Sequence, residues 1–280
     1  MLFNKSLNKL KHPYIITALV ILMILLLLAL LAPVLTDYDP EKNDARNRLK
    51  PPSSEHFLGT DEFGRDVFTR MVYGIRASMQ VGFSVVILTA LFGIIVGVIA
   101  GYYPGLDNII MRFLDGMMAF PGIIIAISLA AIWGAGKYNI IFALSFAYFP
   151  KMARIVRSAV ISIKDVEYVE SARAVGAKDH YIIIKYILRN SASPILVQAT
   201  FNFALAILDE AALSFLGIGI LPPTPSLGGM IADARSYMTV APWLIFSPGV
   251  MIVFSVLSLN LLGDGLRDFL DPHLKGSLKN

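Results

Sequence analysis

Residues 81–102, VGFSVVILTALFGIIVGVIAGY, run for 22 positions almost without charge. A helix rises 1.5 Å per residue, so about 20 apolar residues cross the roughly 30 Å hydrocarbon core of a bilayer. A soluble protein can bury one such run, but not several. Comparable runs lie at about 14–36, 112–134, 138–157, 192–215 and 243–263, and with 80–103 they make six candidate spans. They are spread over the whole chain. The expectation is therefore an all-α polytopic membrane protein with six transmembrane helices in a single domain, 1–280.

Composition agrees. The 280 residues are 56% hydrophobic and 16% charged, with mean hydropathy +0.67, against roughly a quarter charged in ordinary soluble domains. The net charge of +4 and pI near 9.2 fit the Lys/Arg bias of cytoplasmic loops and do not point to a nucleic-acid partner. There is no cysteine, which excludes disulfides, thiolate metal sites and cysteine nucleophiles. Lys5, Lys9 and Lys11 precede the first run as in a secretory signal. That run continues from Tyr14 to Leu35 without an Ala-x-Ala site, and is read as an uncleaved span.

Loop charge sets the expected orientation. The three N-terminal lysines face no acid, and the stretch 151–190 is rich in Lys and Arg, so both are placed in the cytoplasm, as is the C-terminus. Residues 37–79 then form a large external loop, and 158–191 an internal one. In the external loop, Gly59–Asp66 reads as a turn leading into an amphipathic helix through Val67, Met71 and Ile75.

The internal loop carries helix signals. Asp165 is placed to cap a helix from Val166, Glu167 favours its positive end, and Gly176 stands where a C′ glycine ends it. Tyr168, Ala172 and Val175 fall on one face at i, i+4 and i+7. Asp179 would cap a second helix through Tyr181–Leu188. Two short helices hinged at a glycine suit a groove on another protein or the membrane surface equally well.

Glu170-Ser171-Ala172-Arg173-Ala174-Val175-Gly176 resembles the Glu-Ala-Ala…Gly loop of ABC-transporter permeases, with Ser171 where Ala is commonest and Arg189 where Pro is usual. Leu58–Val67, Arg112-x-x-Asp115 with Phe120-Pro121, Arg154–Arg157, Glu210–Gly217, Pro222–Pro225, and Asn260–Asp268 with Asp271-Pro272 are similar to the dipeptide, oligopeptide and nickel permeases. The resemblance covers nearly the whole chain. It implies a type I importer permease fold, with Tyr168, Glu170, Ser171, Ala172, Val175 and Gly176 coupling to an ATPase. It further implies a second permease subunit, two cytoplasmic ATPases, an extracytoplasmic substrate-binding protein and a prokaryotic plasma membrane.

No Gly-x4-Gly-Lys-Ser/Thr run is present, and Gly134-Ala135-Gly136-Lys137-Tyr138 lacks its first glycine and its hydroxyl. ATP and magnesium are therefore expected on partner subunits, with no cofactor bound by this chain. No histidine falls inside a span, which ranks an intramembrane enzyme last. An ion-coupled secondary transporter would show repeated halves, broken helices or ionisable groups at mid-membrane; Asp209 and Glu210 give it partial support, but no repeat is evident.

Gln198, Asn202 and Asp209 are four and seven residues apart, within about 40° of one another on a helical wheel. Such a stripe either lines a translocation pathway or bonds neighbouring helices. Gly93, Gly97 and Gly101 repeat a Gly-x3-Gly spacing that lets backbones approach, here read as packing inside the subunit. Cargo is read as peptide ahead of nickel, since the spans offer few metal ligands.

Overall fold

The computed structural model describes residues 13–270, and among them every regular element is a helix. The N-terminal lysines and the tail from Asp271 onward lie outside the described residues. Helix α1 (Pro13–Leu35) is apolar all round. It exposes Leu30 and Val34 and packs inward through Ala18, Leu25, Ala29 and Ala32, as expected of a peripheral helix in lipid.

α2 (Val67–Tyr102) is one unbroken helix of 36 residues, about 54 Å at 1.5 Å per residue. The second span was expected to begin at 80, after a loop. Instead the amphipathic segment through Val67, Met71 and Ile75 forms its opening turns, capped by Asp66, whose carboxylate accepts from Thr69 N at 2.7 Å. Charged residues such as Arg70 and Arg76 end the apolar run without ending the helix.

The third span is also corrected. It is two helices, α3 (Pro104–Met118) and α4 (Gly122–Trp133), bent by 84° at Ala119–Pro121. Proline disfavours a helical residue before it and supplies no N–H. α3 is amphipathic and buries only Leu114.

α5 (Lys137–Ile163) is the central helix, packed between α2, α4 and α8. α6 (Glu167–Ala174) and α7 (Asp179–Ile182) follow. α7 continues through a π-helical turn (Ile183–Leu188) into α8 (Arg189–Phe215). The second loop helix and the fifth span are thus one element, running through Arg189 without a break. α9 (Leu227–Ala234), capped by Ser226, was not foreseen, and α10 (Trp243–Leu270) closes the bundle. Among the described residues, five helices are long and apolar enough to cross a membrane, or six spans result if α3 and α4 count as one.

α2 meets α5 along the glycine repeat. A Cβ on Gly93 would lie 2.4 Å from Met152 Cγ, one on Gly97 2.5 Å from Ala153 O, and one on Gly101 2.7 Å from Val160 Cβ. The stripe therefore packs within the subunit.

Candidate functional site: a stapled helix and a polar stripe

Two ends of the bundle are distinguishable: one carries the segment 37–66, the other the segment 164–178. At the first end the chain folds around buried charge. Asp61 accepts from Phe63 N and Arg65 N at 2.9 Å and from Arg65 Nε at 2.7 Å, and lies 3.3 Å from Arg70 Nε. Arg70 also donates to Pro40 O at 2.8 Å, which ties the loop to α2. His56 Nδ1 pairs with Asp66 at 2.9 Å. Asp61, Arg65, Asp66 and Arg70 are all buried. A loop mixed in charge is ordinarily a solvated surface, yet here its central charges point inward.

Asp61, Glu62 and Asp233 set three carboxyls against the guanidiniums of Arg65 and Arg70. Burial pushes Glu62 and Asp233 above the usual carboxylate range, with the two arginines opposing at Asp233. A folded-state value above the unfolded one means that ionised Asp233 destabilises the fold at neutral pH, and that this cost fades as pH falls. Asp233→Asn is accordingly expected to melt higher than the parent at neutral pH. The gap should close below about pH 4, where the unfolded carboxyl is also protonated. Thermal melts across that range in detergent check it; a variant that melts lower at neutral pH contradicts it.

At the other end, α6 is closed by a full Schellman motif. Val175 is its C-cap, Gly176 has φ +85°, Gly176 N donates to Arg173 O and Ala177 N to Ala172 O, each at 3.0 Å. The expected cap at Asp165 is absent. Val166 takes the capping position without a side-chain bond. Asp179 likewise does not cap α7; its carboxylate accepts from Tyr102 Oη at 2.7 Å, which fastens the hinge to the end of α2.

The stripe is shifted by one residue. Val169 and Ala172 are the buried pair, Val169 joining Val160, Ile182 and Ile187. Tyr168 is exposed, and Val175 is 85% exposed. Glu170, Ser171 and Gly176 are also exposed. The result is a helix stapled to the bundle on one side that presents Tyr168, Glu170, Ser171 and Val175 outward. Val169 escapes the i, i+4 reading, although it lies one turn before Ala172 and an i, i+3 reading finds it.

In α8, Gln198 and Asn202 are buried and joined, Gln198 Nε2 donating to Asn202 Oδ1 at 2.6 Å, while Asn202 Nδ2 has no partner. Asp209 does not join them; it accepts from Tyr148 of α5. Glu210, 0% exposed, accepts from Ser78 at 2.6 Å and Ser214 at 2.8 Å, linking α2 to α8. Tyr148 and Ser78 gave no signal in local spacing, because each reaches its carboxylate through tertiary packing, whereas Ser214 is an i, i+4 neighbour of Glu210 that the spacing does show.

These features define a class: a polytopic α-helical membrane subunit with a rigidly bounded helix offered at one end. Residues 56–276 match the family described as "Binding-protein-dependent transport system inner membrane component". Residues 10–52 match the N-terminal TM domain of oligopeptide transport permease C. The chain belongs to the first of these families, as a permease subunit of the ABC importer type. It is 46% identical to the dipeptide transport system permease protein DppC of Alkalihalophilus pseudofirmus, over 95% of this chain and 88% of that relative. It is 44% identical to the glutathione transport system permease protein GsiD of Pectobacterium atrosepticum, over 88% and 83%. Identity to the di/tripeptide permease protein DppC of Pseudomonas aeruginosa is 40%, over 92% and 88%. Among solved structures, a chain of the inward-facing MetNI methionine ABC transporter matches with TM-score 0.59 at 19% identity, covering 72% of this chain and 96% of that one. That likeness speaks to the fold alone.

Proposed function

We propose that this permease pairs with a second, different permease to form a pathway for di- and oligopeptides. In this reading a binding protein delivers cargo at the 37–66 end, outside the plasma membrane of a prokaryote. Two cytoplasmic ATPases engage α6 at the other end and carry the nucleotide and magnesium, this chain being non-catalytic. Both termini are cytoplasmic. Asn202 and Asp209, with Gln198, lie on the helix that flanks the pathway. The observation that carries the reading is α6: its inner side is sealed by Val169 and Ala172, so Tyr168 and Val175 are left as apolar groups for a partner. Apolar anchors beside an exposed acid suit a protein groove.

The experiment is uptake of labelled di- and tripeptides into proteoliposomes holding the complex purified with this chain, with its binding protein supplied outside. Uptake that requires both ATP and binding protein supports the proposal. ATP-driven uptake of a nickel chelate with no peptide uptake would overturn the cargo.

A further inference from the structure

Asp209 and Glu210 are adjacent carboxyls in the same helix, treated in opposite ways. Both oxygens of Glu210 are taken by serine hydroxyls and the side chain is fully buried. Asp209 is half-buried, and it is held through Oδ2 by the neutral phenol of Tyr148. Among the described residues, no Lys, Arg or His stands within ion-pair distance of it. It lies six residues before the end of α8 at Phe215, about 9 Å along the axis. Leu205 and Leu208 beside it are exposed. The bend between α3 and α4 abuts the same place, since a Cβ on Gly122 would come 3.3 Å from Tyr148 Cε1.

A carboxylate at membrane depth is costly unless it is paired or faces water. Glu210 meets that cost with two donors, whereas Asp209 keeps Oδ1 open on the accessible side. Tyr148 fixes the direction of the group and leaves its charge uncompensated, which is the arrangement of a site completed from outside the chain.

We infer that Asp209, oriented by Tyr148, is the cation-recognising group of the pathway, taking the protonated nitrogen of a passing cargo. That nitrogen is a terminal ammonium or a basic side chain; both present the same N–H donors to a carboxylate. The inference rests on the pathway reading above and adds the chemistry of what is recognised there. It also assigns Tyr148 as a positioning residue.

The absence of cysteine from this chain permits a clean test. Leu205 lies one helical turn before Asp209, so their Cβ atoms are neighbours. In the complete importer, Leu205→Cys is reacted with cationic trimethylammonium-ethyl methanethiosulfonate and with anionic sulfonato-ethyl methanethiosulfonate, and labelling is read from the mass of this chain. The expected result is faster reaction with the cationic reagent, the ratio of rates falling about tenfold or more when Asp209→Asn is added. Restoring a carboxylate at position 209 as glutamate should recover the preference. If both reagents react and the ratio ignores residue 209, the cation assignment is overturned and the pathway stands. If neither reagent reaches position 205 in any nucleotide state, the pathway reading of this face fails, and the cation assignment with it.

Discussion

Val175→Asp is expected to leave the permease folded and inserted while cutting ATP-driven uptake about tenfold or more, the effect of losing one interface anchor. Val175 is the C-cap of α6 and is 85% exposed, so the fold loses nothing when it changes. If it enters a groove on an ATPase, the variant must desolvate a carboxylate there, and the apolar gain of about 1.5–3 kcal/mol from burying a valine is also lost. Gly176→Val should act by a different route. No atom lies within 4 Å of a Cβ at that position, so there is no clash; the difficulty is φ +85°. A left-handed conformation costs an L-residue roughly 1–2 kcal/mol, more when β-branched. The Schellman closure would loosen and the helix would present its outer face at a variable angle. Glu170→Ala tests the same surface by removing charge. Uptake, together with size-exclusion profiles of the purified variants, decides the matter; full uptake in all three would remove α6 from coupling.

The second large effect concerns the seam between α2 and α5. Gly97→Leu is expected to yield no monodisperse folded protein. A Cβ there would sit 2.5 Å from Ala153 O and 2.7 Å from Val156 Cβ, and the first of these is backbone, which cannot swing aside. Overpacking of a well-filled core ordinarily costs about 1–3 kcal/mol, and a leucine that must force a pair of central helices apart should exceed that range. Gly93→Ala should be milder only because it adds a single carbon, which would still meet Met152 Cγ at 2.4 Å and the backbone-anchored Met152 Cβ at 2.6 Å. Gly116→Leu in α3 is the control, with nothing within 4 Å of the added carbon. Equal recovery of the Gly97 and Gly116 variants would mean that the seam is not closed in the membrane.

The apolar runs made the helices legible because a bilayer demands about 20 apolar residues per span. They did not reveal where helices continue past the membrane. α2 reaches back to Val67 although Arg70 and Arg76 interrupt its hydropathy, since a buried ion pair with Asp61 accommodates Arg70. Pro121 was legible as a proline and illegible as an 84° bend, because proline tolerance depends on whether neighbours repair the turn. At α6 the glycine fixed the end of the helix, while its inner face was misread by one residue. Tyr168 and Val169 can both bury apolar surface, and only packing against Ile182 and Ile187 chooses between them. Spacing brought Gln198 to Asn202, as i, i+4 neighbours must be. It could not show that Asp209 turns to Tyr148, 61 residues away in sequence.

Whether this chain works as one permease of an ATP-driven assembly is decided most directly by purifying the tagged protein from native membranes, with mass spectrometry of everything that accompanies it. Recovery of a second permease together with two phosphate-loop ATPases is the predicted result. Recovery of this chain alone, with transport intact in vesicles that contain no ATP, would contradict it and make the protein a secondary transporter.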